Sequence, residues 1–494
     1  MFYHSTRDPK KAKKYTSAEV IKQGLADDGG LFVPESVPSL SEDEIKALCL
    51  DSYPVRAAKI LLKFLTDYTY EELLADCEKA YCHESFVGGA APLTNIKDNV
   101  YSLELWHGPT AAFKDMALQI MPRLLSRALV KTGEKRTALI LVATSGDTGK
   151  AALEGYKDIP GIKIMVYYPV DGVSRVQKLQ MATQTGDNVG VLAIKGNFDD
   201  AQSGVKAIFA DVDMAKALDE KNFFLSSANS INWGRLAPQI VYYISAYCDL
   251  VKEGKIAYGE EINICVPTGN FGNIFAAYIA KRMGLPLAKL VCASNANCVL
   301  TDFFNDGIYN KRRDFHMTMS PSMDILISSN LERLLYFTAG SEATVDCMSK
   351  LNTVGEYSIT NDILSLIGED FCGYCADESQ TAATIKSCFE KTGNLIDTHT
   401  AVALYCADKY IEESNDVKPM VVASTASPYK FAADVYTSIT NEIPSDGLAA
   451  LDMLSALTNT EIAYPLKNIA ERKIRFDEVI EKTEMPAKVL EFAK

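Results

Sequence analysis

The sequence predicts an α/β fold with two open parallel β-sheets and a mostly helical N-terminal part. Short apolar runs alternate with helix-compatible stretches through much of the 494-residue chain. Two of these runs, 137–143 and 262–266, end in glycine-rich turns that lead directly into helices. Alternation of strands and helices is typical of parallel sheets covered by helices, and two separate turns of this kind indicate two such sheets.

Residues 16–90 have the pattern of helices joined by loops, with a break at 29–34. The strands predicted after them are 137–143, 162–168, 189–195, 262–266, 290–293 and 419–423, and the helices between them include 174–185, 200–210 and 233–251. We therefore expect three domains, which span residues 1–95, 96–257 and 258–494.

Composition and charge narrow the class of protein. The chain has 48% hydrophobic and 23% charged residues, which is ordinary for a globular protein. A net charge of −14 argues against nucleic acid and anionic membrane surfaces as partners. Residues 1–14 are polar and unlike a signal peptide, and no apolar run is long enough to cross a bilayer. The twelve cysteines are scattered singly, which is typical of free thiols in a reducing compartment. These features predict a cytoplasmic protein.

One lysine lies where a helix is predicted to begin. Gly108 and Pro109 form a turn, and Lys114 follows in the first turn of a long amphipathic helix that continues to Ala128. The positive end of the helix dipole disfavours the charged form of an ammonium group. A neutral lysine amine is the form that Schiff-base chemistry requires. The alternative interpretation of this stretch alone is a solvated lysine at a helix start.

Three strand ends carry groups suited to a small anionic ligand. The turn 268–273 combines glycines and asparagines before a helix, where backbone N–H groups and the helix dipole favour a phosphate. The turn 145–149 places small donor residues and Asp147 at another helix start. This turn could bind a ligand, but the Asp147 carboxylate is equally suited to capping the helix. Ser424, Thr425 and Ser427 follow a strand at the edge where open α/β sheets bind ligands. A plain connecting turn is the alternative for each glycine-rich segment.

Taken together, these motifs resemble the threonine synthases, a family of pyridoxal-phosphate enzymes with the tryptophan synthase β-like fold. The resemblance is carried by residues 106–119, 145–149 and 267–273 and by the strand end at Thr425. It extends to further motifs at 24–34, 196–202, 229–235 and 397–402. Each motif alone is weakly specific, but the set in this order is highly specific and covers roughly residues 1–435.

The resemblance implies a role for each matching residue. Lys114 would hold pyridoxal 5′-phosphate as a Schiff base between the two sheet domains and would then transfer protons. Asp147 would lie near the cofactor's 3′-oxygen, and the Thr425 hydroxyl would bind the pyridine nitrogen. The cofactor phosphate would be bound by Gly269, Asn270, Phe271, Gly272 and Asn273. The substrate's carboxylate and phosphate would be bound by Ser145, Thr148, Asn229, Ser230, Asn232 and Arg235.

The implied reaction is a γ-elimination followed by a β-addition, in which O-phospho-L-homoserine and water give L-threonine and phosphate. A phospholyase with the same motifs would release 2-oxobutanoate instead, and it stays open as an alternative. A serine or threonine dehydratase would share the fold, but we would not expect it to have the N-terminal domain or the cluster at 229–235. A non-enzymatic binding protein would be expected to lack Lys114. We expect a monomer or homodimer without a metal ion.

Three remaining features are interpreted as structural. Cys372 and Cys375 have the spacing of a redox dithiol, but the preceding sequence lacks a thioredoxin-like strand, so we interpret them as thiols in a surface insertion. His107 and His399 lie inside motifs, where a hydrogen-bonded structural histidine is the commoner outcome. The region 303–395, which departs most from the family pattern, is interpreted as a lineage-specific insertion around the large domain.

Overall fold

The computed structural model describes residues 1–144, 146–170 and 173–494. Its strands are β1 (Tyr3–Ser5), β2 (Phe32–Pro34), β3 (Leu93–Lys97), β4 (Val100–Glu104), β5 (Thr137–Ala143), β6 (Ile162–Pro169), β7 (Val189–Ile194), β8 (Phe223–Ser226), β9 (Ile262–Pro267), β10 (Leu287–Ser294), β11 (Ile308–Asn310), β12 (Glu356–Ser358), β13 (Phe371–Cys375), β14 (Met420–Ser424) and β15 (Val479–Ile480).

The α-helices are α1 (Ser17–Gln23), α2 (Glu42–Leu50), α3 (Tyr53–Phe64), α4 (Tyr70–Ala80), α5 (Lys114–Leu118), α6 (Met121–Lys131), α7 (Asp147–Tyr156), α8 (Arg175–Ala182), α9 (Phe198–Ala210), α10 (Val212–Glu220), α11 (Trp233–Lys252), α12 (Gly272–Arg282), α13 (Val299–Asp306), α14 (Leu331–Thr353), α15 (Asn361–Asp370), α16 (Glu378–Thr392), α17 (Thr398–Ser414), α18 (Ala432–Thr440), α19 (Ala449–Thr458) and α20 (Met485–Phe492). Short 3₁₀ helices lie at Pro321–Met323, Pro428–Phe431, Tyr464–Leu466, Ile469–Glu471 and Lys482–Glu484.

One sheet contains five parallel strands in the order β15-β7-β6-β5-β8. Its central strands β5 and β6 are largely apolar and buried, as expected for a parallel sheet covered on both faces. β5 leads through the glycine-rich turn into α7. The turn predicted to bind substrate therefore lies at the carboxyl edge of this sheet.

The other sheet contains six strands in the order β13-β10-β9-β14-β4-β3, all parallel except β3, which is antiparallel to β4. β9 leads into α12, and β4, which pairs with β14, leads toward Lys114. The two sheets confirm the predicted fold class and bring the predicted ligand-binding strand ends to two sheet edges. The domain boundaries at residues 95 and 257 stay a prediction. Two strands cross these boundaries, because β4 and β15 each pair within the sheet of another predicted domain.

The N-terminal part is mostly helical, as predicted. β1 and β2 pair antiparallel, and α1–α4 complete this part of the chain. α1 packs against α6, and α3 packs against α11. At the second contact, Arg56 Nη1 donates to Asp249 Oδ1 at 2.7 Å. The N-terminal helices thereby support two helices that belong to the sheet-bearing body of the protein.

The single long helix predicted after Lys114 is two helices, α5 and α6. Pro122 is the cause, because it has no N–H group to donate to the carbonyl of Leu118 and so interrupts the helical hydrogen bonds. The freed Leu118 carbonyl oxygen faces Gly155 of α7 so closely that a Cβ at Gly155 would collide with it. The break therefore permits a close backbone approach between the helix that carries Lys114 and α7.

The predicted surface insertion around Cys372 and Cys375 is wrong. Both cysteines lie on β13, which pairs in parallel with β10 at the edge of the six-stranded sheet. The region 303–395 thus supplies part of the sheet. Every one of the twelve cysteines is a free thiol. Among the described residues, no helix combines the length and apolar character that a bilayer crossing would need.

Candidate active site

Lys114 is the buried amine at the centre of the site. It is the first residue of α5, as predicted, and only 9% of its surface is exposed. Its Nζ donates to Ser322 Oγ at 3.2 Å and lies 3.6 Å from Asp147 Oδ2. Burial lowers the pKa of Lys114, and the Asp147 carboxylate opposes this effect. The nearby positive charges of Lys430 and Arg235 lower the pKa of the amine further.

The segment before Lys114 is tied to the end of β14. Phe113 N donates to the Thr425 carbonyl oxygen at 2.8 Å, and Ala112 pairs with Ala426 in an isolated antiparallel bridge. The Thr425 side chain is largely buried, yet its hydroxyl bonds to no atom of the described residues. The strand end therefore holds the lysine segment by its backbone and leaves a hydroxyl available for a ligand.

A second buried lysine, Lys430, holds Asp147 in its ionised form. Lys430 Nζ is fully buried and lies 2.7 Å from Asp147 Oδ1, which also accepts from Gln177 Nε2 at 2.8 Å. Burial alone would raise the pKa of Asp147, but the ammonium groups of Lys430 and Lys114 lower it well below its usual range. The Asp147 carboxylate thus bonds to side chains of other elements, and the alternative that it only caps α7 is not what the structure shows.

Replacing Lys430 with methionine is expected to lower the free energy of unfolding by about 3 kcal/mol near neutral pH. Removing Lys430 leaves the buried Asp147 carboxylate without its nearest cation, which is destabilising. Lys114 remains 3.6 Å from Asp147 and reduces this loss of stability. Because the folded pKa of Asp147 lies below its unfolded value, the ionised carboxylate stabilises the fold above about pH 4, and this contribution is lost at lower pH. The difference between the two proteins should therefore shrink below about pH 4.

Urea unfolding as a function of pH measures this difference. Lys97→Met is the matched control, because it removes the half-exposed ion pair of Lys97 with Asp408 and should cost less than about 1 kcal/mol. An equal loss in both variants would contradict a special role for Lys430.

The turn between β9 and α12 has the donors that a phosphate requires. The backbone N–H groups of residues 269–274 donate to no acceptor among the described residues. Phe271 adopts a left-handed conformation with φ of 63° and is buried, which fixes the course of the turn. A Cβ at Gly269 would lie 2.7 Å from the Ser322 carbonyl oxygen, so only glycine fits there. Asn270 O accepts from Asn330 N at 3.1 Å, which ties the turn to the chain beyond it.

The side chain of Asn273 is also oriented so that it can donate to a phosphate. Its Oδ1 accepts from the hydroxyls of both Tyr242 and Tyr243, the latter at 2.6 Å. Burial raises the pKa of each tyrosine, so both remain protonated donors. The Asn273 Nδ2 group is buried and has no protein partner in the described chain. Because both tyrosine hydroxyls donate to Oδ1, the Nδ2 group of Asn273 is left free to donate to an anion.

Arg235 is a buried cation without an acidic partner among the described residues. Its Nη1 donates to the Ala228 carbonyl oxygen at 2.7 Å, while its Nε has no partner in the described chain. Burial lowers the pKa of Arg235 to about 10, which leaves the guanidinium charged at neutral pH. A buried guanidinium with unused donors favours the binding of an anion.

The other predicted substrate residues divide into two groups. Thr148, Asn229 and Ser230 are partly or fully exposed, and their side chains bond to no atom of the described residues. Asn232 differs, because its amide caps α11 by accepting from Gly234 N at 2.8 Å and donating to Ile21 O at 3.0 Å. It therefore acts on the start of the helix that carries Arg235. Ser145 lies outside the described residues.

These features fit pyridoxal 5′-phosphate. The turn 269–274 offers free N–H groups to the phosphate, Thr425 offers a free hydroxyl, and Lys114 offers an amine with a lowered pKa. Lys430, Gln177 and Ser322 are further residues of this site that the sequence does not predict. Lys430 lies five residues after Thr425, so the strand end that the sequence indicates could also have pointed to it. No local sequence pattern marks Gln177 or Ser322.

Sequence models of known families match almost the whole chain. The model described as threonine synthase N terminus matches residues 2–81, pyridoxal-phosphate dependent enzyme matches 89–425, and threonine synthase, C-terminal matches 400–488. Threonine synthase from Pseudomonas aeruginosa is 38% identical over 451 residues, which cover 90% of this chain and 92% of that protein. Threonine synthase-like 1 from Homo sapiens is 39% identical over 466 residues. The match covers 91% of this chain, which spans about 62% of that relative's length.

Two solved structures of threonine synthases superpose on the whole of this chain. The pyridoxal-phosphate-bound threonine synthase from Brucella melitensis superposes with a TM-score of 0.88 at 36% identity and full coverage of both chains. Yeast threonine synthase superposes with a TM-score of 0.89 at 31% identity and covers 100% of this chain and 98% of its own. The fold is thus that of the pyridoxal-phosphate-dependent enzymes. Within that class, the chain belongs to the threonine synthase family.

Proposed function

We propose that this protein is a threonine synthase that converts O-phospho-L-homoserine and water to L-threonine and phosphate. The observation that carries the proposal is the buried guanidinium of Arg235, which has free donors and lies close enough to Lys114 for its charge to lower the pKa of that amine. A substrate with both a carboxylate and a phosphate suits such a site, because Arg pairs with either group through two parallel hydrogen bonds.

Each group of the site has a task in this reaction. Pyridoxal phosphate, when bound, supplies the electron sink that acidifies the hydrogen on the substrate's α-carbon. Lys114 Nζ, whose pKa is lowered by burial, removes that proton and gives it up again. It then removes a proton from the β-carbon as phosphate leaves, and it later returns a proton to the product. Asp147, held ionised by Lys430, places a fixed negative charge 3.6 Å from the amine. This charge favours the protonated lysine after each proton removal.

The remaining residues bind and orient. We propose that residues 269–273 hold the cofactor phosphate and that Thr425 binds the pyridine nitrogen. Thr148, Asn229 and Ser230, with Ser145, would bind the substrate beside Arg235, while Asn232 contributes by capping α11. The net charge of −14 supports an enzyme without a nucleic acid or membrane partner, and the free cysteines support a cytoplasmic location. We propose that the enzyme acts as a monomer or homodimer.

The products formed from O-phosphohomoserine test the proposal. After phosphate leaves, a synthase must hold a water molecule at the β-carbon and prevent early release, which would give 2-oxobutanoate. Such control requires a closed pocket with donors that retain the departed phosphate. We expect threonine to be the main product of the unchanged enzyme. Thr148→Val and Asn229→Ala should shift the product ratio toward 2-oxobutanoate and also slow turnover.

Both products are measured in the same assay by amino-acid analysis and a 2-oxo acid assay. Thr353→Val, on the exposed end of α14, is the control and should change neither the rate nor the ratio. If the unchanged enzyme makes mostly 2-oxobutanoate, the protein is a phospholyase. If the two variants only slow turnover, the retention of phosphate by these residues is refuted.

A further inference from the structure

A chain of polar contacts connects two residues of the 397–402 motif to Lys114. Asp397 Oδ2 lies 2.9 Å from His399 Nδ1, and His399 Nε2 lies 3.1 Å from the backbone nitrogen of Ser322. The Ser322 Oγ in turn accepts from Lys114 Nζ at 3.2 Å. These four residues come from three distant parts of the sequence, so the contacts depend on the tertiary fold.

The hydrogen-bond pattern determines the tautomer of His399. The Ser322 backbone N–H can only donate, so His399 Nε2 must carry the lone pair that accepts. The ring proton is then on Nδ1 and donates to Asp397 Oδ2. Both side chains are at least 97% buried, and the Asp397 carboxylate also accepts from the first backbone N–H groups of α17. His399 is therefore a fixed acceptor aimed at the Ser322 backbone.

Ser322 occupies a position between the lysine and the phosphate turn. It lies in the 3₁₀ helix Pro321–Met323, and its carbonyl oxygen packs against Gly269, where a Cβ would come within 2.7 Å. Its side chain is partly exposed, and its hydroxyl donates to no atom of the described residues. The hydroxyl thus accepts from the amine that is proposed to react and keeps its own proton free.

We propose that Ser322 is a further catalytic residue whose hydroxyl controls the protonation of the Lys114 amine, and that His399, oriented by Asp397, is the positioning residue that holds Ser322 in place. The inference rests on the proposed function, because it assigns Lys114 as the reacting amine. It also replaces the interpretation of His399 as merely structural and gives the region 303–395 a part in the active site.

The expected effect follows from the direction of the hydrogen bond. An ammonium donates more strongly than a neutral amine, so an accepting Ser322 Oγ stabilises the charged form of Lys114. Ser322→Ala should therefore lower the pKa of Lys114, by about one unit for one hydrogen bond to a charged group. The charged groups that face Lys114 are Asp147 of α7, Lys430 after β14 and Arg235 of α11, and all three are retained in each variant described below.

The test measures how fast the cofactor-free full-length chain forms its yellow adduct with pyridoxal phosphate over a range of pH. Only the neutral amine reacts, so the midpoint of the rate profile reports the pKa of Lys114. Borohydride trapping and peptide mapping identify the lysine that reacted. Ser322→Ala should shift the midpoint about one pH unit lower, while Ser438→Ala, which removes another buried hydroxyl, should leave the midpoint unchanged.

Variants of His399 test the positioning role. His399→Leu removes the acceptor for the Ser322 backbone and should shift the midpoint in the same direction as Ser322→Ala. His399→Gln keeps an acceptor at that position and should restore a midpoint close to that of the unchanged chain. The double variant Ser322→Ala with His399→Leu should shift no further than Ser322→Ala alone, because both act through one contact. His4→Leu, which removes a buried histidine bonded to Tyr336, is the control.

The outcomes separate this inference from the proposed function. An unchanged midpoint in Ser322→Ala overturns the role of Ser322, even if His399→Leu does not fold. A shift in His4→Leu equal to that in His399→Leu overturns the positioning role of His399. If pyridoxal phosphate never reacts at Lys114 in the unchanged chain, the proposed function itself fails and this inference fails with it.

Discussion

Lys114→Ala is expected to reduce threonine formation from O-phosphohomoserine by at least roughly 10²- to 10⁴-fold, the contribution of a general base alone. In the proposed function, the buried Lys114 amine is both the nucleophile that binds the cofactor and the base that moves the substrate protons. Purified unchanged protein should show yellow absorbance that disappears on borohydride reduction, with the label on the Lys114 peptide. The variant should give no such label.

A second buried lysine offers the matched control for this experiment. Lys430 lies on the other side of Asp147, and Lys430→Met should keep the borohydride label on Lys114. The comparison therefore distinguishes loss of the reacting amine from loss of a buried positive charge. Labelling of a lysine other than Lys114 in the unchanged protein would contradict the assignment.

Arg235→Ala is expected to lower kcat/KM for O-phosphohomoserine by roughly 30- to 5,000-fold. This range corresponds to about 2–5 kcal/mol, the usual loss when one partner of a desolvated charge pair is removed. The variant should keep its cofactor absorbance, because the groups that fit the cofactor lie on the 269–274 turn, at Thr425 and at Lys114. Steady-state kinetics and absorbance spectra measure the two properties separately.

Arg235→Lys provides the comparison that isolates geometry from charge. Lysine keeps the positive charge but cannot form two parallel hydrogen bonds, so we expect an intermediate loss. Added inorganic phosphate should raise the melting temperature of the unchanged protein and should do so less in Arg235→Ala. Loss of the cofactor absorbance in Arg235→Ala would place this residue in the cofactor site and would refute its proposed task.

The parts of the fold that the sequence predicts are those with strong local patterns. The buried strands β5, β6 and β9 are nearly continuous apolar runs, so their positions can be predicted from the local sequence alone. β3 and β4 are not predicted, because each spans only five residues and has neither a continuous apolar run nor a regular alternation of polar and apolar residues. β13 was missed because a glycine and two cysteines give it little β-strand character.

The candidate site shows the same division. Lys114 and the turn at 268–273 stand out because a helix start and a glycine-rich turn each have a local signature. The contact of Ser322 with Lys114 joins residues 208 positions apart, and that of Lys430 with Asp147 joins residues 283 positions apart (430 − 147). No periodicity or spacing in a single sequence reports such pairs. They follow only from the packing of the two sheets and the segments between them.

The break between α5 and α6 has a consequence for how this chain can vary. The distance between Lys114 and Asp147 depends on how closely their two helices approach, and that approach is set by Pro122 and Gly155, neither of which has a reactive group. A Cβ at Gly155 would collide with the Leu118 carbonyl oxygen, so any larger residue there requires the helices to separate. The spacing of the reactive lysine and aspartate thus depends on two positions that themselves have no reactive group.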